Sequence, residues 1–106
     1  MKTRVVITGL GVVAPNGVGI DAFTKALREG KSGIRHIKEM KDLGFSCQIG
    51  GIPEITEDYK RKYFSELQLK GFNSSGILYG AIAAIDAWKD AQLPISENID
   101  FQSGTI

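Results

Sequence analysis

The sequence predicts an α/β fold, and three features indicate it. Val5–Thr8 is β-branched throughout, as expected of a strand buried on both faces. Residues 74–92 carry apolar side chains at helical spacing, which indicates a long helix. The connector after that helix leads into a new apolar segment at residues 101–106, which is how a βαβ unit returns to its sheet.

A glycine-rich segment, residues 9–20, follows the first strand. Its four glycines and Pro15 exclude a regular helix and favour a structural turn with close backbone approach. The next helix is predicted to begin with Asp21 as its N-cap and to end at Gly30.

Two shorter elements are predicted in the middle of the chain. Phe45–Ile52 has the composition of a short strand weakened by two glycines, and Pro53 ends it. Glu57–Leu69 is predicted as one charged helix. Its predicted buried edge consists of Tyr63, Phe64 and Leu67.

The long helix is the clearest element. Asn73 or Ser74 caps it, and it runs to about Gln92. Alanines fill most of the surface between its larger apolar side chains, so other elements can approach it closely on several sides. Its apolar positions are Ile77, Leu78, Ala81, Ile82, Ile85 and Trp88.

Composition is that of a globular protein: 42% of the 106 residues are hydrophobic and 24% are charged. A single domain of this length should bury roughly 65% of its unfolded surface. The net charge of +1 gives no drive toward nucleic acid or a membrane. One cysteine excludes an internal disulfide framework, and no apolar run approaches the roughly 20 residues of a membrane span, so a cytoplasmic location is expected.

The motif Gly9–Ala14 fits the dinucleotide-binding pattern G-x-G-x-x-A. That pattern requires a helix to begin directly after the loop, because the helix N-terminus holds the pyrophosphate. Here Pro15 and two further glycines intervene. Nucleotide binding is therefore the weaker interpretation, and a structural turn is the stronger one.

Catalytic side chains are scarce. Cys47 lies in a weak predicted strand, and no helix follows it. We therefore predict that it is a small buried apolar side chain rather than a nucleophile. His36, the single histidine, lies in a basic stretch and is interpreted as a solvated loop residue. No carboxylate pair or metal-ligand cluster stands out.

Taken in order, these residues resemble the opening of β-ketoacyl-acyl-carrier-protein synthases. In that family a first strand ends in a T-G-x-G turn, and a proline-glycine turn, a helix and a G-x-S-G-I loop follow. The matching positions are Thr8–Gly11, Pro15, Gly17, Phe23, Leu27 and Gly30–Ile34. Tyr79–Leu93 is similar to the family's next buried helix, so the resemblance covers nearly the whole chain.

The resemblance implies the N-terminal part of a thiolase-like layered α/β/α/β/α fold, incomplete in this chain. Residues 1–106 would form a partial domain, truncated before the catalytic cysteine. The implied activity is that of an acyltransferase, which condenses an acyl thioester with malonyl-carrier protein, releases CO2 and is usually a homodimer. Family members use a cysteine and two histidines and need no cofactor. None of those positions is present, so the chain alone is expected to be inactive.

The resemblance also implies an acidic acyl carrier protein as partner, met by basic side chains near the start of the buried helix. The corresponding residues are Lys60, Arg61, Lys62 and Lys70. The chain departs from its relatives at residues 72–74, where they carry basic and acidic side chains.

A second hypothesis is a free-standing interaction module, or a chain-length-factor-like partner that binds a synthase or a carrier protein. Six basic residues against three acidic ones lie between Lys25 and Asp42. They would face an acidic partner in that case, or else be solvated faces of helices and loops.

Overall fold

The computed structural model describes residues 2–104. Within them the chain forms two separate antiparallel strand pairs and five helices. The elements are β1 Val13–Ala14, β2 Gly17–Val18, α1 Ile20–Arg28, β3 Ile34–His36, α2 Lys38–Asp42, β4 Ile49–Gly51, α3 Glu57–Arg61, α4 Glu66–Lys70 and α5 Ser75–Asp90. The mixed α/β composition is therefore confirmed.

The strand expected at Val5–Thr8 is wrong for this structure, which assigns no strand there. Val5 is 88% exposed and Val6, on the opposite face of an extended chain, is 59% exposed, so neither face of the segment is buried. A β-strand needs a neighbour to satisfy its backbone N–H and C=O groups. Among residues 2–104 no strand pairs with this segment, and its β-branched composition alone does not make a sheet.

The glycines after this segment lie directly on α5. A Cβ atom on Gly11 would collide with the carbonyl of Ala83 and lie 2.8 Å from the amide nitrogen of Ala87. One on Gly9 would collide with the carbonyl of Ala87 and lie 2.6 Å from the amide nitrogen of Ala91. Since these alanines recur every four residues, they lie on one face of the helix. The predicted close backbone approach is confirmed, and α5 is the element approached.

The segment from Val13 to Val18 forms a β-hairpin with a two-residue turn. Val13 pairs with Val18 and Ala14 with Gly17, which places Pro15 and Asn16 at the turn. The structural-turn interpretation is thus confirmed. Gly17 is also required for packing, because a Cβ there would lie 2.7 Å from the amide nitrogen of Phe23 in α1.

Helix α1 begins at Ile20, two residues earlier than a helix with Asp21 as its N-cap would. Gly19, with φ of 87°, occupies the N-cap position, so Asp21 lies in the first turn, where a carboxylate is favoured by the helix dipole. The end is as predicted. Gly30 adopts φ of 64°, and the amide of Lys31 donates to the carbonyl of Ala26 at 2.8 Å, which is a Schellman motif.

Strands β3 and β4 pair in the register Ile34 to Gly51 and His36 to Ile49. Strand β4, Ile49–Gly51, confirms a strand at this place, although it covers only three of the eight residues predicted at Phe45–Ile52. Strand β3 and helix α2 lie in the charged stretch for which the sequence predicts no element. Neither element contains a buried side chain, but Ile37, which connects them, is buried.

The single helix predicted over Glu57–Leu69 is wrong, because the chain breaks between α3 and α4. Ser65 forms a capping box with Gln68: its hydroxyl accepts from the Gln68 amide, and the Gln68 side chain accepts from the Ser65 amide at 2.9 Å. The new helix start rotates Leu67 to solvent, where it is 82% exposed. Tyr63 and Phe64 are half-buried, in agreement with the predicted edge.

Helix α5 is confirmed, with Ser74 at its N-cap and its end at Asp90. It supplies half of the buried core, which consists of Ala26, Ile37, Leu78 and Ile82. The chain nevertheless exposes 9015 Å², whereas a compact monomer of this length exposes about 5,800 Å². Folding thus buries roughly 46% of the unfolded surface, less than the roughly 65% expected from length.

Replacing Gly11 with alanine should destabilise the fold by about 1–3 kcal/mol. The added methyl group would overlap the backbone of α5, which cannot move aside as a flexible side chain can. Urea unfolding followed by circular dichroism at 222 nm measures the change in unfolding free energy.

Gly80→Ala is the matched control, because Gly80 lies within α5 and a Cβ there meets nothing within 4 Å. It should stabilise the chain by up to about 1 kcal/mol through helix propensity. Equal stability of Gly11→Ala and the unmodified chain would contradict the close approach.

Candidate functional site

The four basic residues predicted to bind a carrier protein lie in one stretch, Glu57–Lys70, called here the basic segment. Lys60 and Arg61 are in the last turn of α3, Lys62 follows as its C-cap, and Lys70 ends α4. Thr56 starts the segment by accepting a hydrogen bond from the Tyr59 amide at 3.2 Å. The helix dipole favours cations at helix C-termini, which is where these basic side chains lie in α3 and α4.

Two of these four cations are paired within the segment. Lys60 Nζ lies 2.6 Å from Glu57 Oε1. Arg61 bridges two carboxylates, with 3.0 Å to Asp58 Oδ1 and 3.4 Å to Glu66 Oε1. Such surface pairs contribute little to stability, but they reduce the net charge presented to a partner.

The other two cations have no carboxylate within 4.0 Å among residues 2–104. The ammonium of Lys62 lies 5.4 Å from the centre of the Tyr59 ring, at cation–π distance. Lys70 is exposed at the end of α4. Lys62 and Lys70 are therefore the cations best able to meet an acidic surface.

A tyrosine pair connects the basic segment to α5. The Tyr63 hydroxyl donates to Asp86, at 2.9 Å to Oδ1 and 3.1 Å to Oδ2. The Tyr59 and Tyr63 hydroxyls lie 3.1 Å apart, with ring centres separated by 5.4 Å. Lys89 Nζ lies 5.4 Å from the Tyr63 ring centre. These contacts bring together four side chains to which the sequence analysis assigned no function: Tyr59, Tyr63, Asp86 and Lys89.

The Tyr63 pKa is raised above its ordinary value. Desolvation by burial is the first cause, followed by the hydrogen bonds to Tyr59 and Asp86 and by the negative charge of Asp86. The phenol is therefore protonated at neutral pH and acts as the hydrogen-bond donor to Asp86.

Neither candidate nucleophile nor base is placed for catalysis. Cys47 is exposed, so the prediction that it is a buried side chain is wrong. It lies in the loop before β4, where its Sγ is 3.8 Å from the Ile49 carbonyl oxygen. His36 is exposed as expected but lies on β3, where its Nε2 is 3.2 Å from Gln48 Oε1. Among residues 2–104 no three His, Cys, Asp or Glu side chains are grouped to hold a metal ion.

The backbone of α5 occupies the space beside the G-x-G glycines, where a nucleotide-binding loop would receive phosphate. A separate groove of about 470 Å³ lies between the hairpin, α1 and the chain leading to α3. Both signs of charge line it, Lys25 and Lys31 with Glu29 and Glu54, so it has no preference for one sign of ligand.

Comparison with known proteins gives the family. Residues 2–98 match the family described as "Beta-ketoacyl synthase, N-terminal domain". The chain therefore belongs to the β-ketoacyl synthase family, as the resemblance implied. No helix within residues 2–104 is both long enough and apolar enough to cross a membrane.

Several curated proteins are similar to it. The 3-oxoacyl-[acyl-carrier-protein] synthase 2 of Vibrio harveyi is 35% identical over 99 residues, which cover 91% of this chain and 22% of that protein. The synthase 2 of Coxiella burnetii is 34% identical over 96 residues, with the same shares of 91% and 22%. The tetracenomycin polyketide synthase ketoacyl synthase beta subunit of Streptomyces glaucescens is 47% identical over 47 residues, 44% of this chain and 12% of that protein. The chain spans about a fifth of the length of the synthases it matches along most of its sequence.

Raising the pH above about 10 should lower the free energy of unfolding through Tyr63. Its pKa is raised by folding, so above the ordinary tyrosine value of about 10 the unfolded chain loses a proton that the folded chain keeps. The unfolded state then gains stability as the pH rises. Urea unfolding at about pH 8 and about pH 10.5 measures the loss.

Tyr63→Phe serves as the control for the lysines that titrate in the same interval. It should lose less stability than the unmodified chain between the two pH values, because it has no phenol at this position. Equal losses in the two chains would contradict the assignment.

Proposed function

We propose that residues 1–106 are a partial N-terminal domain of a 3-oxoacyl-[acyl-carrier-protein] synthase. Such an enzyme condenses an acyl thioester with malonyl-carrier protein and releases CO2, in fatty acid or polyketide synthesis. The family match over residues 2–98 carries the proposal. The chain matches only about a fifth of the length of these synthases, which supports its being part of a longer enzyme.

The rest of the proposed enzyme would supply what these residues lack. A condensing enzyme needs a thiolate nucleophile, and a helix N-terminus lowers a thiol pKa to provide one. Cys47 has no such position. The exposed apolar side chains of Val5, Ile7, Ile95 and Phe101 support a larger layered fold of the thiolase type, in which they would be covered. The proposed enzyme is a homodimer in the cytoplasm.

The 106-residue chain by itself should form no β-ketoacyl product from malonyl-carrier protein and an acyl-carrier protein. Mass spectrometry of the carrier-bound acyl groups after incubation is the measurement, and a complete synthase serves as the positive control. Product formed at a rate proportional to the chain's concentration would contradict the proposal, because no described residue is placed to act as nucleophile.

The proposed partner is the acyl carrier protein, and the proposed contact residues are Lys60, Arg61, Lys62 and Lys70. Lys62 and Lys70 should contribute most, because the other two are paired with carboxylates in the segment itself. An acidic partner meeting exposed cations is steered by charge, so its affinity should fall as salt rises.

Reversing two charges, Lys62→Glu with Lys70→Glu, should weaken binding of malonyl-carrier protein about tenfold at low salt, since each exposed ion pair contributes about 0.2–1 kcal/mol and reversal adds repulsion. Fluorescence anisotropy of a labelled carrier protein measures the dissociation constant.

Lys38→Glu with Lys41→Glu is the matched control: it changes the net charge by the same amount on α2, where both lysines are exposed. It should leave the affinity near that of the unmodified chain. A larger loss in this control than in the first variant would contradict the proposed surface and favour the basic stretch between Lys25 and Asp42.

A second candidate function is favoured by one observation, the 47% identity to a polyketide synthase ketoacyl synthase beta subunit. A chain of that kind would act as a chain-length-factor-like partner that binds a synthase, without a nucleophile of its own. Co-purification with a separately expressed ketoacyl synthase in a fixed ratio would favour this candidate over the condensing enzyme.

A further inference from the structure

The basic segment cannot keep its shape through helix formation alone. Helices α3 and α4 have five residues each, and isolated helices shorter than about 12–15 residues are marginal in water. Neither contains a fully buried residue. The position of the cations therefore depends on contacts between the segment and the rest of the fold.

The polar contact that reaches α5 runs through Tyr63. Its hydroxyl donates to Asp86, 23 positions away, at 2.9 Å and 3.1 Å to the two oxygens. Asp86 is half-buried on a sixteen-residue helix that also carries half of the core, so it is a firm support. Hydrogen bonds to a charged acceptor are stronger than neutral ones.

The same contact is connected to one of the proposed partner-binding cations. Tyr63 OH lies 3.1 Å from Tyr59 OH, and the Tyr59 ring lies under the ammonium of Lys62. An anchored Tyr63 thus restricts Tyr59, and Tyr59 in turn restricts Lys62. Lys89 lies over the other ring and adds a cation from α5.

We infer that the Tyr63–Asp86 hydrogen bond is the contact that positions the basic segment on α5, so that carrier binding through Lys62 depends on Tyr63 and Asp86 as positioning residues. The inference rests on the proposed function for its second half. The first half, the attachment of the segment, concerns the chain alone.

The test combines hydrogen–deuterium exchange of residues 57–70 with the affinity for labelled malonyl-carrier protein. Tyr63→Phe and Asp86→Ala should each speed exchange in the segment about tenfold and weaken carrier binding by a factor of about three or more, because the charge-assisted bond is lost. Exchange within residues 78–85 of α5 should stay near that of the unmodified chain.

Two variants separate positioning from general damage. Asp86→Asn keeps a neutral oxygen acceptor for the Tyr63 hydroxyl and should restore about half of what Asp86→Ala loses, since a neutral hydrogen bond is about half as strong as a charge-assisted one. Tyr59→Phe removes the neighbouring hydroxyl and leaves the Tyr63–Asp86 bond in place, so its exchange rates should stay close to those of the unmodified chain.

Unchanged exchange in Tyr63→Phe would overturn the inference, and so would faster exchange spread equally over α5. Faster exchange confined to the segment with no change in carrier affinity would support the attachment and contradict the carrier surface of the proposed function. The two failures are therefore distinguishable.

Discussion

The close approach of the glycine-rich segment to α5 is the constraint on which the described fold depends. Gly9 and Gly11 pass so near the backbone at Ala83, Ala87 and Ala91 that neither glycine position has room for a side chain. The amide of Leu10 then donates to Asp90 Oδ2 at 2.9 Å, which fixes the segment along the helix axis. The hairpin and α1 follow directly in the chain, so their position relative to α5 derives from this contact.

Helix α5 supports two different parts of the molecule on neighbouring faces. Its alanine face receives the glycines, while Asp86 receives the hydroxyl of Tyr63. The two contacts differ in kind. The first depends on shape and tolerates no added atom, whereas the second depends on one hydrogen bond to a carboxylate and can be exchanged for a similar one. The basic segment is therefore the more weakly attached of the two.

The family is known for condensation chemistry, but residues 2–104 contain no nucleophile or base placed for that reaction. The described residues present a surface with many exposed apolar side chains, a radius of gyration of 17.2 Å against about 13 Å for a compact domain of this length, and four cations in one segment. Exposed apolar surface of this kind is typical of a chain that packs against other protein surface. The proposed function accordingly assigns binding to these residues and assigns the carbon–carbon bond formation to the remainder of the enzyme.

Local patterns in the sequence determined the elements whose signals are local. The alanine-rich periodicity predicted α5, Gly30 predicted the end of α1, and Pro15 with the glycines around it predicted a turn, because each depends on backbone preferences of a few adjacent residues. The split between α3 and α4 had a local signal as well, the Ser65 and Gln68 capping box, which the charged helical pattern concealed.

Only the tertiary structure decided what those elements meet. The β-branched segment at residues 5–8 has no strand beside it within the described chain, and pairing rather than composition makes a strand. Likewise, nothing near Tyr63 indicates a carboxylate 23 positions later, yet that carboxylate anchors the candidate site. A sequence gives the order of residue types, whereas desolvation, hydrogen bonding and steric contact depend on distances between residues that are far apart in that order.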